Sequence, residues 1–281
     1  MDVIDRTIDK VMADIQIMRN SSERHIDEEP KHSCPVCNDT GWEEYEKDGY
    51  TFCRECKCGI RRRQIEENRM RFANLPSNFS KLRISSFDIT AYNSPNCRNA
   101  ARNAVKGINY YLNNFNVLKW QGKGLYIYSE TKGSGKTRMA VSLANELMDK
   151  GVQVKFATSL QILSEIKKSW DKNSEYQSES ELINQLSTTE VLIIDDFDVE
   201  QGGKSWISER FYQIINSRYM DKKVTIYTSN SGIENLGYDD RIVNRIKERS
   251  FVLPFPEESV RDRIAKENMY ELINAIRRQE G

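Results

Sequence analysis

Apolar residues recur along this chain in two different periods. Val3, Ile4, Ile8, Val11, Met12, Ile15 and Met18 fall at helical spacing, which predicts a helix over 2–20. Asn20-Ser21-Ser22 and Pro30 end that pattern. A charged helical stretch opens at Arg61-Arg62-Arg63 and runs to about Ala73, and Leu75-Pro76-Ser77-Asn78 marks a boundary. Residues 80–97 show no period and read as an irregular linker, broken by Ser85-Ser86 and Asn93-Ser94-Pro95-Asn96. A helix is expected from about Arg98 to Asn113. Beyond it, short apolar runs alternate with amphipathic stretches. Runs at 125–129, 152–157, 191–195, 224–228 and 251–255 read as buried strands. Stretches at 136–150, 159–170, 205–219, 240–248 and 258–278 read as helices, with Gly151 as the C-cap of the first. The polar segment Asp171 to Glu181 reads as a mobile loop. Strand and helix in alternation predict an α/β fold, a central parallel sheet covered on both faces. The chain therefore divides into an N-terminal helical and cysteine-bearing module (1–73, cysteine segment 32–60), a linker (74–97) and an α/β domain (98–281).

Composition narrows the function classes. Lys plus Arg and Asp plus Glu both total 42 of 281 residues, so the formal net charge is zero and no global field favours nucleic acid. Any such contact must come from local patches. No apolar stretch reaches the ~18 residues of a membrane span. Met1 to Arg6 is polar and carries no signal-peptide core. The expected location is the cytoplasm.

Five of the six cysteines crowd into positions 34 to 58. In a cytosolic chain such clustering favours metal over disulfides. Cys34-Pro35-Val36-Cys37 and Cys53-Arg54-Glu55-Cys56 are two C-x-x-C knuckles fifteen residues apart, a spacing suited to tetrahedral Zn²⁺. Trp42 to Phe52 alternates like a small hairpin with Asp48-Gly49 at its tip. Cys58 adds a C-x-C pair with Cys56. Cys34, Cys37 and Cys56 serve in either arrangement, and the fourth ligand is Cys53 or Cys58. His32 is a solvated loop residue on this reading. Arg61-Arg62-Arg63 could meet phosphates, although Glu66 and Glu67 offset their charge.

The densest chemistry follows the first strand of the α/β domain. Gly133-Ser134-Gly135-Lys136-Thr137 places a Gly-rich turn between a strand and a helix. Backbone N–H groups there can cradle phosphates, Lys136 can reach β/γ oxygens, and the Thr137 hydroxyl can hold Mg²⁺. The pattern G-x-x-x-x-G-K-[ST] wants glycine at position 130, and the chain has Glu130. Its side chain is expected to point outward, toward Lys132; the alternative is weakened ATP affinity. About sixty residues later, Val191-Leu192-Ile193-Ile194-Asp195-Asp196 ends a buried strand in two acids. Asp195 would hold Mg²⁺ and Asp196 would orient or deprotonate the attacking water. Asn230 closes another apolar strand, Val224 to Ser229, where an amide can position the same water or touch the γ-phosphate. Arg241 and Arg245 sit at i, i+4 on a short helix, where an arginine can complete a neighbouring subunit's site.

In this order the motifs resemble the AAA+ ATPases, and within them the DnaC/IstB-type group of replicative helicase loaders and transposition helpers. Ile193-Ile194-Asp195-Asp196-Phe197, Ile214-Ile215-Asn216-Ser217-Arg218-Tyr219, Thr228-Ser229-Asn230 and Ser259-Val260-Arg261 carry the likeness together with the phosphate loop, over about 76 to 270. The resemblance implies Walker A at Lys136 and Thr137, Walker B at Asp195 and Asp196, sensor I at Asn230, an arginine finger at Arg245 and sensor II at Arg261. Arg241 and Arg263 are near-register alternatives to the last two. Only about 25 residues follow Phe255, and the resemblance implies a module with no C-terminal lid domain. It further implies ATP, Mg²⁺ and Zn²⁺ as cofactors and a replicative DNA helicase as partner, held by the N-terminal module. Single-stranded DNA would lie along the helix at 159–170, whose Lys167, Lys168 and Trp170 suit phosphate and base. ATP bound between subunits implies a homo-oligomer. An IstB-like transposition helper and a zinc-dependent nucleotide switch without turnover are the other readings.

Overall fold

The computed structural model describes residues 33–75, 79–170, 178–198 and 205–279. The helix expected over 2–20, His32 and most of the loop expected from Asp171 lie outside the described residues. The chain forms two units, one ending at Glu66 and one beginning at Glu67.

The first unit is built on a hairpin. β1 (Trp42–Lys47) pairs antiparallel with β2 (Tyr50–Glu55), Tyr45 opposite Phe52. Asp48 and Gly49 at the tip take φ of 53° and 79°, as a two-residue turn matched to strand twist requires. A tight turn precedes the hairpin, where Asn38 N–H donates to Cys34 O at 2.9 Å, and Cys56 N–H donates to Gly41 O at 2.9 Å, continuing the pairing past the strand ends. The Asp39 carboxylate accepts from Ser33 and Cys34 N–H, both at 2.9 Å, and so pins the tight turn. α1 (Ile60–Ala73) follows Gly59.

In the second unit β3 (Gly124–Tyr128), β4 (Val154–Thr158), β5 (Val191–Asp195), β6 (Val224–Ser229) and β7 (Ser250–Pro254) form a parallel sheet in the order β4-β5-β6-β3-β7. Strand side chains alternate between its faces. Leu125, Ile127, Val191, Ile193, Val224 and Ile226 join one apolar core. It packs on α2 (Pro95–Asn113), α3 (Phe115–Trp120) and α4 (Lys136–Asp149). Tyr126, Leu192, Ile194 and Tyr227 join the opposite core. That one packs on α5 (Ser159–Lys168), α6 (Glu179–Thr188), α7 (Ser205–Met220) and α8 (Asp240–Arg249). α9 (Val260–Gln279) follows β7 and is exposed along most of its length. Among the described residues no helix is long and apolar enough to cross a membrane.

The α/β fold and parallel sheet are those expected, with three corrections. α2 starts at Pro95, not Arg98, because Ser94 and a proline in the first turn begin a helix well. α3 was not anticipated. α6 was not anticipated either: Glu179 to Glu181, read as the end of a loop, form its first turn, with Ser178 Oγ accepting from Glu181 N–H and the Glu181 carboxylate reaching back to Ser178 N–H. The segment 80–94 carries two 3₁₀ turns, Ile84–Ser86 and Ile89–Ala91, and buries Ile84, Ala91 and Tyr92.

Among the described residues Arg218 is the largest fully buried side chain. Its guanidinium donates to Leu186 O (2.7 Å), Ser187 O, Thr189 O (2.8 Å), Val224 O and Thr225 Oγ1. A cation meeting the C-terminal carbonyls of α6 is favoured by the helix dipole and satisfies groups with no intrahelical partner. Those bonds tie α6 and α7 to β6, beside the strand that ends in Asp195.

Candidate functional site

Parallel strands bring their C-terminal ends to one edge of the sheet, where α/β folds bind ligands. There β3, β5 and β6 deliver the phosphate-type loop, Asp196 and Asn230 around a cavity of about 550 Å³, with Asp195 bonded to the lining residue Thr137. Gly133 and Gly135 take φ of 80° and 99°, conformations that side chains rarely adopt. A Cβ on Gly133 would lie 2.8 Å from Ser259 Oγ, and one on Gly135 would lie 3.1 Å from the Tyr92 hydroxyl. That hydroxyl donates to Ser134 O at 2.6 Å. Glu130 is not among the residues with positive φ, so the backbone needs no glycine there. Its side chain is exposed and does not line the cavity.

Lys136 is buried and donates to Ser129 O and Thr131 O, both at 3.0 Å. Burial pulls its pKa down, and the charges of Asp196, Glu257, Asp198 and Asp195 oppose that shift. Thr137 Oγ1 donates to Asp195 Oδ2 at 3.2 Å, and Thr228 Oγ1 donates to Asp195 Oδ1 at 2.6 Å. Burial pushes the Asp195 carboxyl up to about 6, with hydrogen bonding from Thr228 acting against it and the Asp196 charge acting with it. A threonine hydroxyl beside a buried carboxylate is a hard oxygen pair of the kind Mg²⁺ takes. Asp196 lines the cavity from a φ of 50°, an uncommon conformation for a non-glycine residue. Its N–H is held by Thr228 Oγ1 at 2.9 Å.

Asn230 lines the same cavity, and its Nδ2 donates to Asp198 Oδ2 at 2.7 Å. Asp198 also accepts from Ser229 Oγ at 2.6 Å and from Asn230 N–H. It thereby locks the end of β6 to the loop after β5. Sequence reasoning missed Asp198; a third acid two residues past Asp196 was the available signal. Arg261 lines the cavity from the first turn of α9, whose Val260 N–H donates to Gly133 O at 3.0 Å. Arg263, its alternative, pairs instead with Glu267.

The family model for the IstB-like ATP binding proteins matches residues 53–267. The chain belongs to this family. It is 29% identical over 142 residues to the replicative helicase loader DnaC of Escherichia coli (strain K12), covering 50% of this chain and 57% of that one. To the replicative helicase loader DnaI of Bacillus subtilis (strain 168) it is 29% identical over 117 residues, 41% of this chain and 36% of that one. The chain thus spans little more than half the length of DnaC and about a third of DnaI. A crystal structure of the DnaC helicase loader superposes with a TM-score of 0.53 and 22% identity over 64% of this chain and 99% of that one, which establishes the shared fold.

Other residues of this IstB-like protein lie away from the cavity. Arg245 on α8 donates through Nε to Asn216 Oδ1 at 2.9 Å and through Nη1 to Arg241 O, over the rings of Tyr212 and Tyr219. Arg241 pairs with Asp239 over the Tyr212 ring. At the end of α5, the half-exposed Trp170 packs edge-on against Trp206 at 5.2 Å, and Lys167 lies over the Trp206 ring. Trp170 also donates to Glu179, at 2.6 Å.

In the first unit Cys34, Cys37, Cys56 and Cys58 bring their sulfurs within 4.8 Å of one another. Cys34 Sγ lies 3.8 Å from Cys56 Sγ, and Cys37 Sγ lies 3.6 Å from Cys58 Sγ. Tetrahedral thiolates at the usual Zn–S distance of ~2.3 Å stand roughly 3.8 Å apart, so the donor set fits zinc. Cys53 sits exposed on β2 opposite Glu44, outside the cluster. The Cys34 thiol is drawn down to about 7 by the main-chain N–H groups of Cys37 and Val36, whereas burial pushes Cys37 up. Four neighbouring thiols ionise together only with a cation among them.

Proposed function

We propose that this protein is an ATP-hydrolysing loader of a replicative DNA helicase. The observation that carries the proposal is the meeting of Lys136, Thr137, Asp196 and Asn230 at one cavity of a DnaC-type fold, with Asp195 bonded to Thr137. Gly133, Ser134 and Gly135 cradle the phosphates, Lys136 neutralises β/γ oxygens, and Asp196 orients the attacking water. Asn230, held by Asp198, contacts the γ-phosphate or that water. Thr137 and Asp195 are the residues that would hold Mg²⁺, whose charge would screen the phosphates. Arg261 reads the bound nucleotide from α9. Arg245 serves a neighbouring subunit's site, and the protein assembles on single-stranded DNA through Lys167, Lys168 and Trp170. Zinc on Cys34, Cys37, Cys56 and Cys58 supplies the core that a segment so short cannot build from side chains. That module grips the helicase.

Phosphate release measured with and without single-stranded DNA tests the activity. Wild type is expected to hydrolyse ATP and to be stimulated by DNA. Lys136→Ala is expected to lose at least about a hundredfold in rate. Turnover in Lys136→Ala equal to wild type would sink the assignment of the site. The family model also favours a second reading, a transposition helper with the same ATPase chemistry. Pull-down against a replicative helicase and against a transposase separates the two clients.

A further inference from the structure

Glu257 belongs to no motif that the sequence presents. It precedes α9, and its carboxylate reaches the first residues of the phosphate loop. It accepts from Glu130 N–H at 3.0 Å, Thr131 N–H at 2.8 Å and Ser129 Oγ at 3.1 Å. Lys136 donates to Ser129 O and Thr131 O of the same stretch. The peptide joining Ser129 to Glu130 is thus gripped on both sides, its C=O by an ammonium and its N–H by a carboxylate. Opposite charges on the two ends of one peptide polarise it and resist its rotation.

We propose that Glu257 is a positioning residue for the phosphate loop, fixing the loop's first two peptides and through them the Lys136 ammonium. In the glycine-led pattern the first glycine shapes the strand-to-loop turn. Here that position is Glu130, in an ordinary backbone conformation, and a side chain from the segment after β7, the strand beside β3, constrains the turn instead. The arrangement leaves phosphate binding intact. Glu257 engages residues 129–131 and does not line the cavity, so the N–H groups from 133 onward still face the phosphates. Partial burial pushes the Glu257 carboxyl up, but hydrogen bonds from Thr131, Glu130 and Ser129 outweigh it and hold the group below the usual carboxylate range. It therefore stays an anion, and its charge helps Lys136 remain a cation. Three residues on, Val260 N–H bonds Gly133 O, so residues 257–260, which lead into Arg261, are joined to the loop at both ends.

The inference rests on the reading of the cavity as the ATP site, and one experiment separates the two. Affinity of the full chain for a fluorescent ATP analogue with Mg²⁺ is titrated for wild type, Glu257→Ala, Glu257→Gln, Glu258→Ala and Lys136→Ala, with KM, kcat and melting temperature alongside. Glu258 is the control: it accepts from Asn93 and Ser94 N–H at 2.7 and 3.0 Å, residues outside the loop. Glu257→Ala is expected to weaken nucleotide binding about tenfold, with KM rising in step and kcat falling by less. Glu257→Gln, which keeps an accepting oxygen but no charge, should fall between Glu257→Ala and wild type. It also carries the test if the alanine variant does not fold. Glu258→Ala should melt lower yet bind nucleotide like wild type. Binding within about twofold of wild type in both Glu257 variants overturns the inference, as does an equal loss in Glu258→Ala. Wild-type affinity in Lys136→Ala would overturn the ATP-site reading instead.

Discussion

Asp195 ends a fully buried strand, and its carboxyl is pushed up from the ordinary aspartate range to about 6, chiefly by burial. Asp196 reinforces the shift, while Thr228, Thr137 and Lys136 oppose it. An acid whose folded pKa exceeds its unfolded one binds more protons in the folded state. Its contribution to stability is therefore greatest below the unfolded value, and declines as pH rises through the window up to about 6. Above that the ionised group costs the free protein on the order of 3 kcal/mol. A bound divalent cation removes that cost, which is a physical reason for placing the acid here. Asp195→Asn should make the nucleotide-free protein more stable at neutral pH by about 1–3 kcal/mol while removing Mg²⁺-dependent hydrolysis. Denaturant melts at about pH 5 and about pH 7.5 check it: the variant's advantage should appear at the higher pH and shrink at the lower. A variant less stable than wild type at both would show that hydrogen bonding, not charge burial, dominates at this position.

At the scale of elements, legibility followed how local the determining interaction is. Val191 to Ile194 must be buried on both faces of a sheet wherever the run sits, so β5 and the acids at its end could be read directly. Gly133 and Gly135 were legible for the same reason, since their conformations are properties of the loop itself. α3, with six residues, is too short to show a period. α6 was masked by the polar residues before it, although Ser178 and Glu181 have the spacing of a capping box. Asp198 and Glu257 act through bonds to residues 32 and 126 or more positions away, which no window of sequence displays. The choice between Cys53 and Cys58 is of that kind as well. The hairpin register puts Cys53 on an exposed strand, while the turn at Cys56-Lys57-Cys58 carries Cys58 back to Cys37. Cys53→Ser should therefore keep about one zinc per chain and Cys58→Ser should lose it, as read by metal analysis of the purified proteins. The reverse pattern would mean that the ligand set involves the strand.

At the scale of the whole molecule, Arg245 and the cavity of its own chain are separate: Arg245 bonds Asn216 and Arg241 O and lies over two tyrosine rings. On the proposed shared-site reading, an arginine so anchored would meet a neighbour's phosphate without a large ordering cost. A site divided between chains makes a prediction that no defect within one chain can imitate. Lys136→Ala disables a subunit's pocket but leaves its Arg245; Arg245→Ala does the opposite. Each variant alone should be inactive under conditions of assembly. Mixed in equal amounts in a head-to-tail assembly, about a quarter of the interfaces join an intact pocket to an intact arginine, and ATPase activity should return to that order. If Arg245→Ala alone hydrolyses ATP like wild type when assembled, or if the mixture of two inactive variants recovers nothing while both still co-assemble, the site is completed within one chain and Arg245 belongs to the packing of α8 against α7.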